Sequence, residues 1–480
     1  MISDLKPYPK YKSSAQAWVG DVPEHWSIVP NRAIFLEVKE RNHPDAEMLS
    51  VTITRGIVRQ KALLAGSSKK DSSNQDKSAY KLVKPRDIAY NKMRAWQGAF
   101  GASDFLGIIS PAYVVMRLRD AENMPRYFHH LYRTPQFSKE AERWSYGITS
   151  DMWSLRPEHF KMIYTPEPPP GEQAAIVRFL DWANGRLERT ILAKRRVIAL
   201  LTEQKQGIIH HAVTRGLDPT VPLKPSGNPW IGDIPKHWEV RRLRFAVDDY
   251  GPGIQMGPFG SSLTELQSSD TGYKLFGQEN TISGDFTRGV RWITKLQFKK
   301  LRKYELTPGD IVLTRKGSIG KARLVPLGIQ RGIADSDTIR VRLNGRKVNS
   351  LFIVELLHSS TYVQRQLAST QRGAVLGGLN TATIGNIVLV LPPYQEQQAL
   401  LEGLHLATKE LDVIINRVER EIELLREYRT RLVADVVTGK LDVREAAARL
   451  PQDEVEPVLE ADDLAEDEDG VDDELTEAEA

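Results

Sequence analysis

The stretch WVGDVPEHW at residues 18–26 recurs as WIGDIPKHW at residues 230–238, and this repetition decides the fold. Two further matches lie 224 residues apart: Glu172-Gln173 with Glu396-Gln397, and TRGLD at 214–218 with TGKLD at 438–442. These offsets are much longer than the roughly 20–50 residues of a solenoid repeat. The sequence therefore predicts the duplication of a whole half-protein, in which each half carries a globular part followed by a long helix.

Two long helices are predicted over residues 172–215 and 396–440. The second has apolar residues at strict intervals of seven, and the first has the same register with one polar interruption at Lys194. A sustained heptad predicts that one helix packs along another in a left-handed supercoil. Proline-rich segments precede both helices and a glycine follows each of them, as is common at helix ends. The predicted packing residues are Leu180, Leu187, Leu201, Ile208, Leu404, Leu411, Val418, Leu425 and Leu432.

The parts between these helices contain short β-prone runs, such as DIVLTRKG at residues 310–317, separated by clusters of Gly, Pro, Asn, Asp and Ser. Such spacing predicts irregular domains with several short strands. We therefore expect a mixed α/β (α+β) fold, in which two irregular α/β domains are joined by two long antiparallel coiled-coil helices with a pseudo-two-fold internal repeat. The predicted divisions are a first domain at 1–165, a first helix at 166–218, a second domain at 219–390, a second helix at 391–445, and an acidic tail at 446–480.

The charge of the chain is distributed unevenly. Residues 452–480 contain fifteen Asp or Glu and no Lys or Arg, which leaves 66 basic against 47 acidic residues in the rest, a net +19. A body this basic predicts a polyanionic partner, most commonly nucleic acid, and the alternative is a basic but inert surface. The tail has too few large apolar groups to offset the entropy of ordering and is expected to be disordered. A solubilising role is favoured for it over weak competition for the basic surface.

The composition excludes many classes of enzyme. With no cysteine there is no disulfide framework, thiolate zinc site, iron–sulfur cluster or cysteine nucleophile. The segment GSIGKA at 317–322 lacks the first glycine and the final Ser or Thr of a phosphate-binding P-loop. The pairs His129-His130 and His210-His211 are adjacent, so neither pair lies on one helix face as a metal site requires. We predict no catalytic residue and no metal site, and the absence of a long apolar run or signal peptide predicts a cytoplasmic protein without a membrane segment.

The best candidate contacts to DNA lie in two loops that follow strands beginning with Asp-Ile, and further candidates lie elsewhere in the two domains. Arg, Lys, Asn and Gln side chains in such loops can hydrogen-bond base edges or phosphates, although any single one could equally be a solvated surface residue. The first loop is NKMRAW at 91–96, and the second is TRKGSIGKAR at 314–323. The candidates are Arg55, Arg59, Lys69, Lys70, Asn91, Lys92 and Arg94 in the first domain, and Lys274, Gln278, Asn280, Arg288, Arg315, Lys316, Lys321, Arg323 and Arg372 in the second.

Up to about residue 445, the chain resembles the specificity subunit of type I restriction-modification systems, which defend cells against foreign DNA. The resemblance rests on the twin openings, the Glu-Gln helix starts and the twin helices, with GPFGSSL at 257–263 and LTPGDIVLTRKGSIGKA at 306–322. It implies that each domain is a target recognition domain that reads one half of a bipartite site in double-stranded DNA. It also implies that the helices set the spacer between the half-sites and dock the modification subunits.

The resemblance further implies a non-catalytic chain that binds no cofactor itself. In such a complex the modification (methyltransferase) subunits bind S-adenosylmethionine, and the restriction (translocase and nuclease) subunits use ATP and Mg. The alternatives are a coiled-coil protein-binding adaptor without DNA specificity, which predicts no salt-dependent DNA affinity, and a DNA-modifying enzyme, which predicts activity of the isolated chain. A subunit that works in modification alone is a further alternative.

Overall fold

The computed structural model describes residues 5–64, 76–147, 153–248, 251–258, 272–317, 320–369 and 378–451. The chain divides into two compact units, Met1–Lys194 with Arg420–Ala480, and Arg195–Glu419. Each unit combines a globular part with one portion of each long helix. Within the described ranges no helix combines the length and apolarity that a membrane span requires.

The globular part of the first unit precedes the first long helix. Its strands are β1 Tyr11–Ser13, β2 Asp21–Pro23, β3 Ser27–Pro30, β4 Phe35–Val38, β5 Leu49–Thr52, β6 Gly56–Arg59, β7 Lys81–Val83, β8 Ile88–Asn91, β9 Phe100–Ala102, β10 Gly107–Ile109, β11 Tyr113–Leu118 and β12 Tyr164–Glu167. Its helices are α1 Asn31–Ile34, α2 Gln60–Leu64, α3 Pro125–Tyr132, α4 Pro135–Trp144 and α5 Pro157–Met162. The long helix α6, Pro170–Arg215, follows.

The second globular part repeats this plan with different insertions. Its strands are β13 Leu223–Pro225, β14 Asp233–Pro235, β15 Glu239–Arg242, β16 Ile254–Met256, β17 Tyr273–Phe276, β18 Trp292–Ile293, β19 Ile311–Thr314, β20 Ala322–Leu324, β21 Gly332–Ala334, β22 Thr338–Val341 and β23 Val388–Leu391. Its helices are α7 Gln278–Ser283, α8 Lys295–Lys300, α9 Ser350–Ser359, α10 Thr361–Ser369 and α11 Thr381–Asn386. The second long helix α12, Tyr394–Val437, and the short helix α13, Arg444–Ala448, complete the described chain.

Each unit is built on a four-stranded antiparallel sheet. The strand order is β4-β11-β8-β9 in the first unit and β16-β22-β19-β20 in the second. The Asp of each Asp-Ile pair immediately precedes β8 in the first unit and β19 in the second. Asp87 is 1% exposed and Asp310 is 2% exposed. Their carboxylates accept hydrogen bonds from the guanidinium groups of Arg117 and Arg342, at 2.8 and 2.7 Å. The repeated Asp is thus a buried, paired charge that fixes the start of the strand.

Each sheet domain is inserted between the two strands of a short antiparallel ladder, which we refer to as its stem. The first stem pairs β3 with β12, and the second pairs β15 with β23. The backbone N–H of Asn31 donates to Ile163 O at 2.8 Å, and that of Leu243 donates to Ile387 O at 2.9 Å. Each domain therefore leaves and rejoins its stem at one place.

The long helices pack antiparallel within each unit. In the first unit Lys194 binds Glu421 at 2.6 Å and Arg429 binds Glu188 at 2.9 Å; in the second, Lys205 binds Asp412. The predicted packing residues follow this arrangement: Leu180, Leu187, Leu404, Leu411 and Leu432 are buried, and Leu201, Ile208, Val418 and Leu425 are half-buried. The mixed α/β fold and its coiled-coil helices are confirmed, and the polar interruption at Lys194 is an ion pair between the helices.

The structure differs from the predicted divisions at the helix starts and at the tail. Residues 166–169 and 391–393 lie in the stems and the turns after them, because the prolines stop the strands before the helices begin. The predicted start of the tail at residue 446 is wrong. Ala446 and Ala447 pack in the core of the first unit, and Arg178 donates to Leu450 O at 2.7 Å. Small apolar side chains give this segment a face to bury, and residues 452–480 lie outside the described part.

Candidate nucleic-acid interface

The repeated openings form two matching clamps at the starts of the long helices. In the first clamp, Trp26 Nε1 donates to Glu172 Oε1 at 2.9 Å, and His25 Nε2 lies 2.7 Å from Glu172 Oε2. The second clamp repeats this with Trp238, at 3.0 Å, and His237, at 2.8 Å, on Glu396. A carboxylate in the first turn of a helix also interacts favourably with the helix dipole.

The glutamine after each clamp glutamate binds the N-terminus of a second helix. Gln173 Oε1 accepts the backbone N–H of Met124, the residue that caps α3, at 2.8 Å. Gln397 Oε1 accepts the backbone N–H of Asn349, which caps α9, at the same distance. Both glutamines are at most 1% exposed. The Glu-Gln pair therefore fixes the long helix to the opening on one side and to the sheet domain on the other.

The same tryptophans also contact the glycines that follow the long helices. Gly439 follows α12 with φ +79°, and a Cβ there would lie 2.4 Å from Pro23 Cδ and 3.1 Å from the Trp26 ring. Gly216 follows α6 with φ +83° and packs on Trp238. Any other residue at position 439 would have to adopt a left-handed backbone conformation, and its side chain would collide with Pro23. The twin motifs thus build the scaffold that carries the two candidate faces.

The first candidate face combines the loop after β8 with the tip of the β5–β6 hairpin. Arg55 and Arg59 are exposed, and Lys92 and Arg94 are half-buried. The Arg59 guanidinium lies 3.5 Å from Glu47 and over the Phe105 ring. Arg59 is therefore partly neutralised, while Arg55 projects from the hairpin tip.

The loop after β8 is held by its own side chains. Asn91 is buried, and its Oδ1 accepts the backbone N–H of Met93 at 3.0 Å. Arg94 donates to Gln97 Oε1 at 3.0 Å, and the rings of Trp96 and Trp153 meet edge to face with centroids 5.5 Å apart. In this arrangement Asn91 shapes the loop, and Lys92 and Arg94 are the side chains that can approach a ligand.

The second candidate face lies around the carboxyl end of β19. The backbone N–H of Lys316 donates to Gln278 Oε1 at 3.3 Å, which places α7 beside this loop. Arg315 Nε donates to Leu379 O at 3.2 Å, and Asp337 Oδ1 lies 3.2 Å from Lys316 Nζ and 3.8 Å from an Arg315 nitrogen. One carboxylate shared by two cations leaves a local excess of positive charge.

Three further predicted cations flank the second face. Lys321 is exposed and opposes Thr314 across the β19–β20 hairpin, where Thr314 N donates to Lys321 O at 3.1 Å. Arg323 is half-buried on β20, with its guanidinium 3.1 Å from His358 Nε2. Arg288 is exposed and lies 3.7 Å from Asp285. The structure thus brings the predicted loop of the second domain together with α7.

The predicted contacts of Lys274 and Asn280 are not supported, because each residue is 1% exposed. Lys274 Nζ donates to the carbonyl oxygens of Phe286 and Thr287, at 3.1 and 2.6 Å. Asn280 accepts from Gly277 N at 3.0 Å and donates to Arg288 O at 3.0 Å. These side chains satisfy buried backbone groups around α7. The predicted residues Lys69, Lys70 and Arg372 lie outside the described residues, as does part of GPFGSSL.

A matching histidine lies against the outer strand of each sheet. His129 Nδ1 accepts the backbone N–H of Ala102, and His358 Nδ1 accepts that of Ala322, both at 3.3 Å. Burial, followed by the nearby Arg133, lowers the pKa of His129 well below its usual range. Burial, followed by the nearby Arg323, lowers the pKa of His358 to about 4. Both imidazoles are therefore neutral acceptors at neutral pH.

Acidification below pH 6.5 should destabilise the second unit through His358. The pKa of histidine is about 6.5 in the unfolded chain, so the unfolded state takes up this proton first as the pH falls. The stabilisation is present above pH 6.5 and is lost as the pH falls towards 4. It amounts to at most ~3 kcal/mol, since one pKa unit corresponds to about 1.4 kcal/mol. We expect His358→Gln, which keeps an acceptor, to flatten the dependence of the unfolding temperature on pH between 7 and 4.5. The exposed His405→Gln should leave it unchanged, and equal slopes in both variants would contradict this role.

No sequence pattern points to Arg133, which follows α3 and connects the two segments of the first face. Its guanidinium donates to carbonyl oxygens in the β5–β6 hairpin, in the loop before β9 and at the first residue of β9. A lone arginine after a helix has no distinctive pattern. Only the long-range contact identifies it.

Comparisons with known proteins agree with this architecture. No protein-family model matches the chain. The chain is 25% identical over 385 residues to the type I restriction enzyme MjaVIII specificity subunit of Methanocaldococcus jannaschii, covering 77% of this chain and 84% of that protein. It is 23% identical over 356 residues to the type I restriction enzyme StySPI specificity subunit of Salmonella potsdam, covering 72% and 69%.

A solved structure shows the same fold. A chain from work on complex assembly and conformational transition of the type I R-M system superposes with a TM-score of 0.55 at 16% sequence identity. The superposition covers 88% of this chain and 99% of that one.

Proposed function

Because the chain belongs to the family of type I restriction-modification specificity subunits, we propose that it gives such a complex its DNA sequence specificity. Each sheet domain would read one half of a bipartite site in double-stranded DNA. The observation that carries this proposal is the pairing of one repeated scaffold with two unlike cationic faces. The clamps and stems match between the units, whereas the hairpin of the first face and α7 of the second have different sequences and structures.

The charge of the chain supports DNA as the ligand. Outside residues 452–480 the net charge is +19, and exposed cations lie on both candidate faces. Lys and Arg side chains neutralise phosphates and release counterions, which makes binding to DNA salt-dependent. A protein-binding adaptor without DNA specificity does not account for two different cationic loops on equivalent strands, so it is not favoured.

We further propose that the chain is the non-catalytic member of its complex. Modification subunits would bind S-adenosylmethionine and methylate adenine, and restriction subunits would supply the ATP- and Mg-dependent steps. The long helices would dock the modification subunits and set the number of unread base pairs between the half-sites. With this function the protein would act in the cytoplasm, where chromosomal DNA and the partner subunits meet.

The test of this function is methylation mapping in cells that express the chain with its neighbouring modification genes. We expect methylated adenines within one bipartite motif of two short half-sites separated by a fixed number of unspecified bases. Deletion of this chain alone should abolish that methylation. Methylation that persists after the deletion, or a motif without a gap, would contradict the proposal.

Charge reversal at the second face should weaken DNA binding. We expect Arg315→Glu with Lys316→Glu to lower affinity at least tenfold at moderate salt, because the double variant removes two cations and adds two anions. If both residues contact phosphates, the slope of log affinity against log salt should fall by about two. The matched control is Lys299→Glu with Lys300→Glu, an exposed pair at the end of α8. Titration of labelled DNA at several salt concentrations measures both, and equal losses would remove the Arg315 loop from the interface.

A further inference from the structure

The guanidinium of Arg133 joins the two segments of the first candidate face. Its Nη2 donates to Ile53 O at 2.6 Å and to Thr54 O at 2.5 Å, at the tip of the β5–β6 hairpin. Its Nη1 donates to Phe100 O at 2.8 Å, Thr52 O at 3.1 Å and Gly98 O at 3.5 Å. Five carbonyl oxygens from two segments of the chain thus converge on one cation.

The hairpin is also pressed closely against the outer strand of the sheet. A Cβ on Gly101 of β9 would lie 2.6 Å from the backbone nitrogen of Ile57, and one on Gly56 would lie 2.8 Å from His129 Cε1. Neither position has room for a larger side chain. His129 is one helical turn before Arg133 and accepts the N–H of Ala102, so the end of α3 supports both the strand and the hairpin.

The corresponding helix of the second unit ends in a different residue. Arg133 is the residue that ends α3, and Ser360 is the residue that ends α9. Ser360 is fully buried, and it is Gln364, on the following helix, that donates to Gly320 O before β20. The cationic junction of Arg133 therefore belongs to the hairpin that is particular to the first domain.

We propose that Arg133 is a positioning residue for recognition of the first half-site, an inference that rests on the DNA-reading function proposed above. Arg55 lies one residue beyond Thr54, and Arg94 lies four residues before Gly98. Because one guanidinium binds the carbonyl oxygens of both Thr54 and Gly98, Arg133 sets the separation between the hairpin tip and the loop after β8. Reading of bases requires such fixed placement, whereas attraction to phosphates tolerates small shifts.

Arg133 acts through other residues, because its two terminal nitrogens are already donating to carbonyl oxygens. Those oxygens are acceptors, and loss of the guanidinium would leave several half-buried carbonyl groups without their donor. Lysine has one nitrogen in place of the planar fork, so it cannot reach both segments in the same geometry. Arg133→Lys therefore keeps the charge while removing the junction.

The test compares Arg133→Lys and Arg133→Met in the full chain, assembled with its modification subunits. Binding is measured on duplexes altered in the first half-site, in the second half-site, or in neither. We expect both variants to lose at least tenfold in discrimination at the first half-site and to keep the second. The slope of affinity against salt should not change. Gly101→Ala, which displaces the hairpin without touching any charge, should have the same effect, and Arg126→Met on the exposed side of α3 should have none.

Other outcomes would overturn the inference. Full recovery of discrimination in Arg133→Lys, with a salt slope reduced by about one in Arg133→Met, would make Arg133 a phosphate contact. Equal losses at both half-sites would indicate a general structural role. Amide hydrogen exchange of the free protein provides a readout without DNA: residues 53–57 and 98–100 should exchange faster in Arg133→Lys than in the wild type. If exchange is faster in Arg133→Lys but the wild-type complex shows no bipartite specificity, the proposed DNA-reading function is refuted. The structural role of Arg133 in joining the two segments would still stand.

Discussion

Replacement of residues 31–163 by the corresponding segment of a relative should change one half of the recognised DNA sequence completely. The other half-site and the gap between them should stay as they are. The stem makes this exchange feasible, since Tyr164 faces Pro30 in the β3–β12 ladder and the chain enters and leaves the domain side by side. A new domain joined at these positions keeps the stem, the clamp at Glu172 and the second unit.

The exchange has one packing requirement. The Tyr127 hydroxyl lies 3.0 Å from both Pro166 O and Val437 O, and Phe128 packs in the same core as α6. A donor segment that keeps an aromatic pair at the start of α3 should therefore fold on this scaffold, and one with small residues there should not. Methylome sequencing measures the outcome. A simultaneous change in both half-sites would show that the domains do not read DNA independently.

The duplicated scaffold was predictable because its signals are local and repeated. The openings at 18–26 and 230–238, the Glu-Gln pairs and the heptads each keep a fixed spacing, and the structure shows the contact that explains each of them. Lys194 broke the predicted apolar stripe, and its ion pair with Glu421 accounts for the exception. The heptad periodicity correctly predicted which faces of the two long helices pack together, because every seventh residue lies on the same side of a helix.

The candidate faces were less predictable because they depend on contacts between distant segments. Lys274 and Asn280 have the chemistry of DNA-binding residues, but both bond buried backbone groups around α7. The carbonyl oxygens that determine this lie up to 13 residues away in sequence, in turns without a repeated pattern. Likewise, the packing of Ala446 and the convergence of the hairpin on Arg133 depend on where chain segments meet. Composition could suggest which residues bind DNA, but it could not show which of them reach the surface.

Lengthening both long helices by one heptad should lengthen the unread gap and leave both half-sites unchanged. Seven residues add about 10 Å of helix, which corresponds to about three base pairs of DNA. The insertions belong between Lys194 and Lys205 on α6 and between Asp412 and Glu421 on α12, because a whole heptad there preserves the apolar register and both ion pairs.

The control is an insertion into α6 alone, which should lower the unfolding temperature because the cross-helix leucines lose their register. Methylation mapping of the double-insertion variant gives the gap, and the two half-sites in the same experiment report whether the domains still read DNA. We expect a gap longer by about three base pairs with the same half-sites. An altered half-site with the original gap would instead mean that DNA deformation or the modification subunits set the spacing, and that the helices serve only to dock partners.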